Sequence, residues 1–431
     1  MDLALPPSTA DIPVDSAPGP DWAGLPEHLL DMIFRKLELL KDCLLFSFIC
    51  PSWHCVAKDN HTTIDSLSRH QVPVLLVHTK RQGNNEWNMY DVMDNKFSLS
   101  KLVLPSYDRP FSGSSEGWIL TIDMKLGLTL YKPFVESIEN TVIHLPPLFP
   151  PTSIWLLGKI ARYREYYVMK MTTFTPNLLA NPRDLILVVI FGECRKLAYI
   201  RPAKDSRWTC VLDGTVSFFD DVVYHENKFY AITTKSALVS FDVTDLKESK
   251  TKLVIDEEPS SDEEEDDEEQ SSDNEEEDDK NEESDEVVEK LFCYKRYLVE
   301  SFGDLLQVKR YIKFSDDRET KMFKVFKWNL DDSSWVEINS LGDSALFLGD
   351  NTSVSVLAST FAGCQKNSIY FTNDKDTSEY GDEGPMDLGV YNLETGICSR
   401  GFTFDAAMID RVPGPQPIWV LPTSVVYGFT Y

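Results

Sequence analysis

Several features common in chains of this length are missing here, and each absence narrows the field. The eight cysteines include no C-x-x-C pair, so neither a ribbon-type zinc site nor a dithiol redox centre is indicated. Thiols so scattered fit a reducing compartment, the cytoplasm or the nucleus. No apolar run is long enough to span a bilayer; the strongest, LILVVIF at Leu185–Phe191, is strand-sized. The first twenty residues lack the basic start and apolar core of a signal peptide. No stripe of Lys and Arg offers itself to phosphates. The phosphate-cradling G-x-x-x-x-G-K-[ST], the dinucleotide G-x-G-x-x-G and the zinc-binding H-E-x-x-H are all absent. The expectations are no membrane, no nucleic acid, no metal and no cofactor.

What is present supports a large core. The 431 residues are 42% apolar and 12% aromatic, which excludes a wholly disordered chain. The net charge of −28 is concentrated: residues 256–286 hold 21 acids and one Lys, leaving 49 acids against 41 bases elsewhere. Like charges at that density cannot bury enough apolar surface to fold, so a disordered acidic insertion is expected, with a basic partner as the alternative. Ser260, Ser261 and Ser272 each have an acid three residues on, a spacing that suits acid-directed kinases; phosphate there would add negative charge. Residues 1–21, rich in proline, read as a disordered leader.

Two kinds of periodicity divide the rest. In LPEHLLDMIFRKL, Leu29, Ile33 and Leu37 follow i, i+4, i+8, and Leu30 and Phe34 widen the stripe, which predicts a helix. Pro26 suits its first turn and Glu27 its positive end. Asp42 is placed to cap a second helix, and SWHCVAKD brings Trp53 and Val56 to one face of a third. From about residue 72 the segments become short, β-branched and aromatic, punctuated by Gly, Asn, Asp and Pro. A loose repeat aligns Tyr199, Phe241, Trp328 and Tyr391, each followed by a turn and another strand. Once the acidic segment is removed, repeats of roughly 40–50 residues predict a β-propeller of about six or seven blades. The fold class is therefore mainly β with a small all-α N-terminal domain.

Catalytic motifs find little support. Gly113–Gly117 matches G-x-S-x-G around Ser115, but a nucleophile elbow needs a helix after the serine, and the strand-like WILTIDM follows. His54 and His61, with Cys50 and Cys55 nearby, do not have a zinc spacing. Two carboxylates facing each other across a cleft are not something sequence can place.

Residues 22–60 resemble an F-box, through Leu25-Pro26, Leu29, Leu30, Ile33, Phe34 and Leu37, then Asp42, Leu44, Phe46, Ile49, Cys50 and Trp53. Ile49 stands where Val is commoner, and Pro51 sits inside the usual C-x-x-W step. Residues 72–431 resemble a plant family with a kelch-like, KIB-type propeller, through GSSEGWILTID, FFDDVVYHENKFYAI, YLVESFGDLLQVKRY and SLGDSALFLGDN. The combination implies a substrate-recognition subunit of an SCF ubiquitin ligase, not itself an enzyme. It would work in the cytoplasm or nucleus, bound to a Skp-type adaptor and through it a cullin, with an unidentified protein substrate held by the propeller. On that resemblance the adaptor-binding residues are Leu25, Pro26, Leu29, Leu30, Ile33, Phe34, Leu37, Leu44 and Trp53, of which Leu29 to Leu37 are expected to lie on an uncovered face. A propeller enzyme or metabolite-binding protein with an F-box-like helical cap is the alternative.

Overall fold

The computed structural model describes residues 22–37, 40–81, 84–97, 111–123, 125–132, 142–148, 167–175, 184–211, 218–243, 252–255, 291–313, 319–374, 387–399 and 417–421. The leader and the acidic segment, with Ser260, Ser261 and Ser272, lie outside these. The chain divides into two compact units, the first ending at Asn60 and the second starting at His61.

The first unit holds three short helices: α1 (Glu27–Phe34), α2 (Leu40–Ser47) and α3 (Pro51–Asp59). Pro26 lies one place ahead of the expected first turn; its carbonyl accepts the amides of Leu29 and Leu30 at 2.9 and 3.2 Å. Asp42 sits within the first turn of α2, not at its cap. Pro51 is the first residue of α3, where the missing N–H costs nothing, so the departure from the C-x-x-W step starts a helix rather than bending one. Phe34 packs edge-on to Phe46 at 5.2 Å, and Phe46 meets Trp53 at 4.4 Å. The Trp53 indole donates to the Trp22 carbonyl at 3.1 Å, and Asn60 donates to Asp31 at 2.8 Å, tying the end of α3 to α1. A fourth helix, α4 (His61–Arg69), belongs to the second unit; the sequence reading did not anticipate it.

The second unit is a six-bladed propeller. Blade 2 (strands Phe111–Ser115, Trp118–Ile122, Leu128–Tyr131, Val142–Leu145) is a simple antiparallel meander. Blades 3 (from Lys170 to Cys210), 4 (from Phe219 to Ile255) and 5 (from Leu291 to Ile338) repeat it. Blade 1 takes three strands between Val74 and Phe97 and a fourth, Ile418–Val420, from the far end of the chain, paired with Val74–Leu76. Blade 6 has five strands; Ser353–Leu357 lies innermost, and Ser344–Leu348 runs parallel to Ser368–Phe371.

The repeat read from the sequence has a structural meaning. Tyr199, Phe241, Trp328 and Tyr391 all lie on the strand preceding the outermost one of their blade. Apolar layers join successive blades around the whole ring. Trp118 and Leu187 lie between blades 2 and 3, Val188 and Phe229 between 3 and 4, Leu238 and Leu298 between 4 and 5, and Val308 and Leu346 between 5 and 6. Phe347, Leu75 and Trp419 join blade 6 to blade 1, and Leu76 and Ile119 join blade 1 to blade 2.

The innermost hairpins of blades 2, 4 and 5 turn through two left-handed residues: Glu116-Gly117 (φ 47° and 77°), Glu226-Asn227 (44° and 64°) and Phe302-Gly303 (51° and 93°). Such turns match the right-handed twist of the flanking strands. The strings SEGW, HENK and SFGD are therefore the same turn in three blades.

Candidate functional site

Two places in the chain bring functional chemistry together. The first is the outer face of the helical unit. At 100° per residue, the apolar residues of α1, from Met32 round to Phe34, cover a band roughly 200° wide, and the structure splits it. Leu30 and Phe34 turn inward and are completely buried. The expectation that they lie on an uncovered face is corrected: they form the core that α2 and α3 close. Trp53 is buried with them. Leu29 is 37% exposed, Pro26 is exposed, and Leu25, Ile33 and Leu37 are half-buried. Leu44 lies in α2, and its side chain is outside the described part. The sequence reading overlooked Met32 (57% exposed), Leu45 (48%) and Trp22 (58%), which with Ile49 (53%) bare large apolar groups to solvent. A 40-residue unit that leaves this much apolar surface uncovered has the makings of an interface.

The second place is the propeller axis, where innermost strands deliver charged side chains into the interior. Lys170, first in its strand of blade 3, meets Asp221 of blade 4 at 3.0 Å. Asp221 also accepts the Leu298 amide at 2.9 Å and the Ser353 hydroxyl at 3.1 Å. Ser114 of blade 2 bonds with Thr352 of blade 6 and donates to the Trp419 carbonyl of blade 1, so all six blades contribute polar groups to these contacts. Further out, Arg310 lies against the rings of Phe371 and Phe323 at 4.9 and 5.9 Å, and reaches Asp374 at 2.7 Å and Asp387 at 2.9 Å. Lys295 is held by Asp350 and lies 3.6 Å from Asp374.

Burial works against the charges of Lys295, Asp374 and Asp220, and the balance between burial and the partners decides each outcome. Burial lowers Lys295, but the Asp350 and Asp374 carboxylates outweigh it and hold its ammonium above the ordinary value. Burial raises Asp374, yet Lys295 and Arg310 keep its carboxyl below the usual range. At Asp220, burial prevails over Arg195, Lys295 and Arg296, and its carboxyl is raised.

Beside these groups lies a cavity of about 100 Å³, lined by residues that include Ser115, Glu116, Lys170, Asp221, Glu300 and Ser353. Ser115 follows the expectation for a serine between strands: its hydroxyl accepts the Thr173 amide at 2.9 Å, and the chain turns at once into the strand Trp118–Ile122. His70, just beyond α4, donates to the Ser355 carbonyl (2.7 Å), meets Glu300 at 3.3 Å and stacks on Phe302 at 4.1 Å. Among the described residues no group of three or more His, Cys, Asp and Glu side chains could hold a metal ion, and no helix is long and apolar enough to cross a membrane.

A ring of six blades closed by its own C-terminal strand, with paired charges filling its axis, defines a β-propeller. Residues 68–392 match the model of the KIB1-4 beta-propeller, and the chain belongs to that family. F-box protein SKIP23 of Arabidopsis thaliana is 23% identical over 416 residues, covering 87% of this chain and 90% of its own. F-box protein At2g17036 of the same plant is 24% identical over 439 residues, 93% of this chain and 95% of its own. A third Arabidopsis thaliana F-box protein, At4g35733, is 24% identical over 376 residues, 83% and 91% of the two chains.

Proposed function

We propose that this protein is the substrate-recognition subunit of an SCF-type ubiquitin ligase. Its helical unit docks a Skp-type adaptor, which links it to a cullin, and its propeller holds a protein substrate. The observation that carries the reading is the apolar surface of the helical unit, where Leu29, Met32 and Leu45 stand exposed on helices whose inner sides are already filled, as does Ile49 between α2 and α3. The relatives named as F-box proteins span most of this chain, and the family model covers residues 68–392 of it. On this reading the protein carries no chemistry of its own and positions a partner for ubiquitin transfer in the cytoplasm or nucleus.

The alternative, an enzyme or metabolite-binding propeller, draws on the charged groups that converge on the axis. Their pairing favours the receptor: Lys170 with Asp221, Lys295 with Asp350 and Arg310 with Asp374 hold one another, so each charge has the partner that burial demands.

The test is retention of a Skp-type adaptor after co-expression. The wild type is expected to retain it, and Met32→Asp with Ile49→Asp is expected to lose it while its far-UV circular dichroism stays that of the wild type. Burying two such side chains is worth about 3–6 kcal/mol, or two to four decades of affinity. Adaptor retained by the double variant would exclude this face as the docking surface.

A further inference from the structure

Helix α4 opens the second unit, and among its described side chains only Ile64 is buried. Its last turn closes on the Leu67 carbonyl, which accepts the His70 amide at 3.3 Å and the Gln71 side chain at 3.0 Å. The next anchor is the His70 ring itself, 9% exposed and set against the innermost strands of blades 5 and 6.

Both nitrogens of that ring face acceptors. Nδ1 donates to the Ser355 carbonyl at 2.7 Å, and Nε2 lies 3.3 Å from the Glu300 carboxylate. A neutral imidazole has one N–H and one lone pair, so it satisfies one acceptor and turns its lone pair on the other. The imidazolium, with two N–H groups, matches both. The surroundings hold the ring in this place. Phe302 stacks on it at 4.1 Å from a left-handed turn position, φ 51°, that a bulky side chain takes at a cost. The Ser301 and Ser355 hydroxyls join at 2.8 Å, fixing together the two strands that supply the acceptors. Glu300 also accepts the Gly303 amide at 2.9 Å. Burial would raise its carboxyl, but the hydrogen bond and charge of His70 prevail and hold it below the ordinary range.

Other charged groups stand near. Across the cavity that His70 lines are Glu116 of blade 2, Lys170 of blade 3 and Asp221 of blade 4. Lys170 and Asp221 pair at 3.0 Å. Glu116 accepts the hydroxyls of Thr173 and Thr175 and acts on Lys132. His225, last in the innermost strand of blade 4, acts on Glu300 alongside His70. Arg69 precedes His70 in the chain.

We propose that His70 is a proton-operated latch: charged, it pins the end of α4 to blades 5 and 6, and on losing a proton it releases that end from the ring. The sign follows from the pairing. The latch holds at lower pH for as long as Glu300 stays ionised, and it lets go as pH rises and the imidazolium is lost. The apolar layers between blades do not involve His70, so the change is confined to α4 and its junction with the ring. The device stands whether or not the helical unit docks an adaptor.

The test is hydrogen exchange of the full chain, read by mass spectrometry on peptides covering α4 through Gln71. It runs from about pH 5 to about pH 8, the span over which an imidazole changes charge. Rates are divided by those of the unfolded chain at each pH, so that protection alone is compared. Protection of α4 in the wild type is expected to fall at least about tenfold across the span, the effect of losing one charge-assisted hydrogen bond. The strand Ser344–Leu348 of blade 6 should hold its protection throughout. H70Q keeps one donor and E300Q keeps an acceptor without charge; both should stay near the high-pH level of the wild type at every pH. H225Q should keep the slope. Unchanged melting temperatures would show that the variants fold, and if H70Q does not fold, E300Q and the wild-type profile decide the matter. The ring carbon shift that disappears in H70Q should titrate with the same midpoint as the protection. Flat protection in the wild type, a slope that survives in E300Q, or a slope that only H225Q removes would overturn the latch.

Discussion

Met32 and Phe34 lie two residues apart on α1 and face opposite ways, the first 57% exposed and the second fully buried. Their substitutions should therefore fail differently. Leu30→Ala and Phe34→Ala remove core, at about 2–5 and 3–5 kcal/mol each, more than a unit of this size can spare. Loss of helical signal in far-UV circular dichroism is expected along with loss of adaptor, whereas Met32→Asp should lose adaptor alone. Gln307 is fully buried, and neither end of its amide has a hydrogen-bond partner among the described residues. Gln307→Met should raise stability by about 1 kcal/mol in chemical denaturation, since an unsatisfied buried amide costs more than a thioether of similar shape. Asp374→Asn should do the reverse, by about 3–5 kcal/mol, because Arg310 and Lys295 would keep their buried charge. The pH profile follows from the same groups. Asp374 and Glu300 are depressed in the folded state, so each contributes stability above its unfolded pKa and gives it up as pH falls through the folded one. The melting temperature should be level near neutrality and fall below about pH 4, and the fall should be shallower in Asp374→Asn.

Among the elements, the strand Ile418–Val420 closes the ring. Trp419 is 1% exposed; its indole donates to the Leu348 carbonyl at 3.0 Å, and its own carbonyl accepts from Ser114 and Thr352. One side chain thus joins blades 1 and 6, and its backbone reaches blade 2. Trp419→Ala should cost about 3–5 kcal/mol, lowering the calorimetric melting temperature well beyond what exposed Trp22→Ala does. An equal effect of the two would show that this strand is not the clasp. Removing the strand altogether would leave Val74–Arg81 as an open inner edge, a template for association with other chains.

For the whole molecule, Ile255 ends the last described strand of blade 4 and Leu291 begins the first of blade 5, so the acidic residues fall in the chain between neighbouring blades. Deleting Pro259–Glu283 should leave the melting temperature nearly unchanged, since closure entropy changes slowly with loop length and a charged loop adds few packing contacts. A loss of several degrees would show that the segment takes part in the fold.

Local patterns carry local structure, and here they carried a good deal. Alternation and turn residues are properties of neighbours in sequence, so the β character from about residue 72, the repeat through Tyr199, Phe241, Trp328 and Tyr391, and the helices around Leu30 and Trp53 could all be read without coordinates. Blade number could not. Six rather than seven follows because blade 6 takes a fifth strand and blade 1 takes its inner strand from the far end of the chain. Nor could the inward half of the α1 band be told from the outward half, since both halves are apolar and only α2 and α3 choose between them. The axial charges lay furthest from view. Arg310 and Asp374 are 64 residues apart, and Ser353 and Asp221 132, distances over which sequence holds no geometry. Their pairing exists because the innermost strands of different blades converge on one axis, where a charge must find its partner or stay in water.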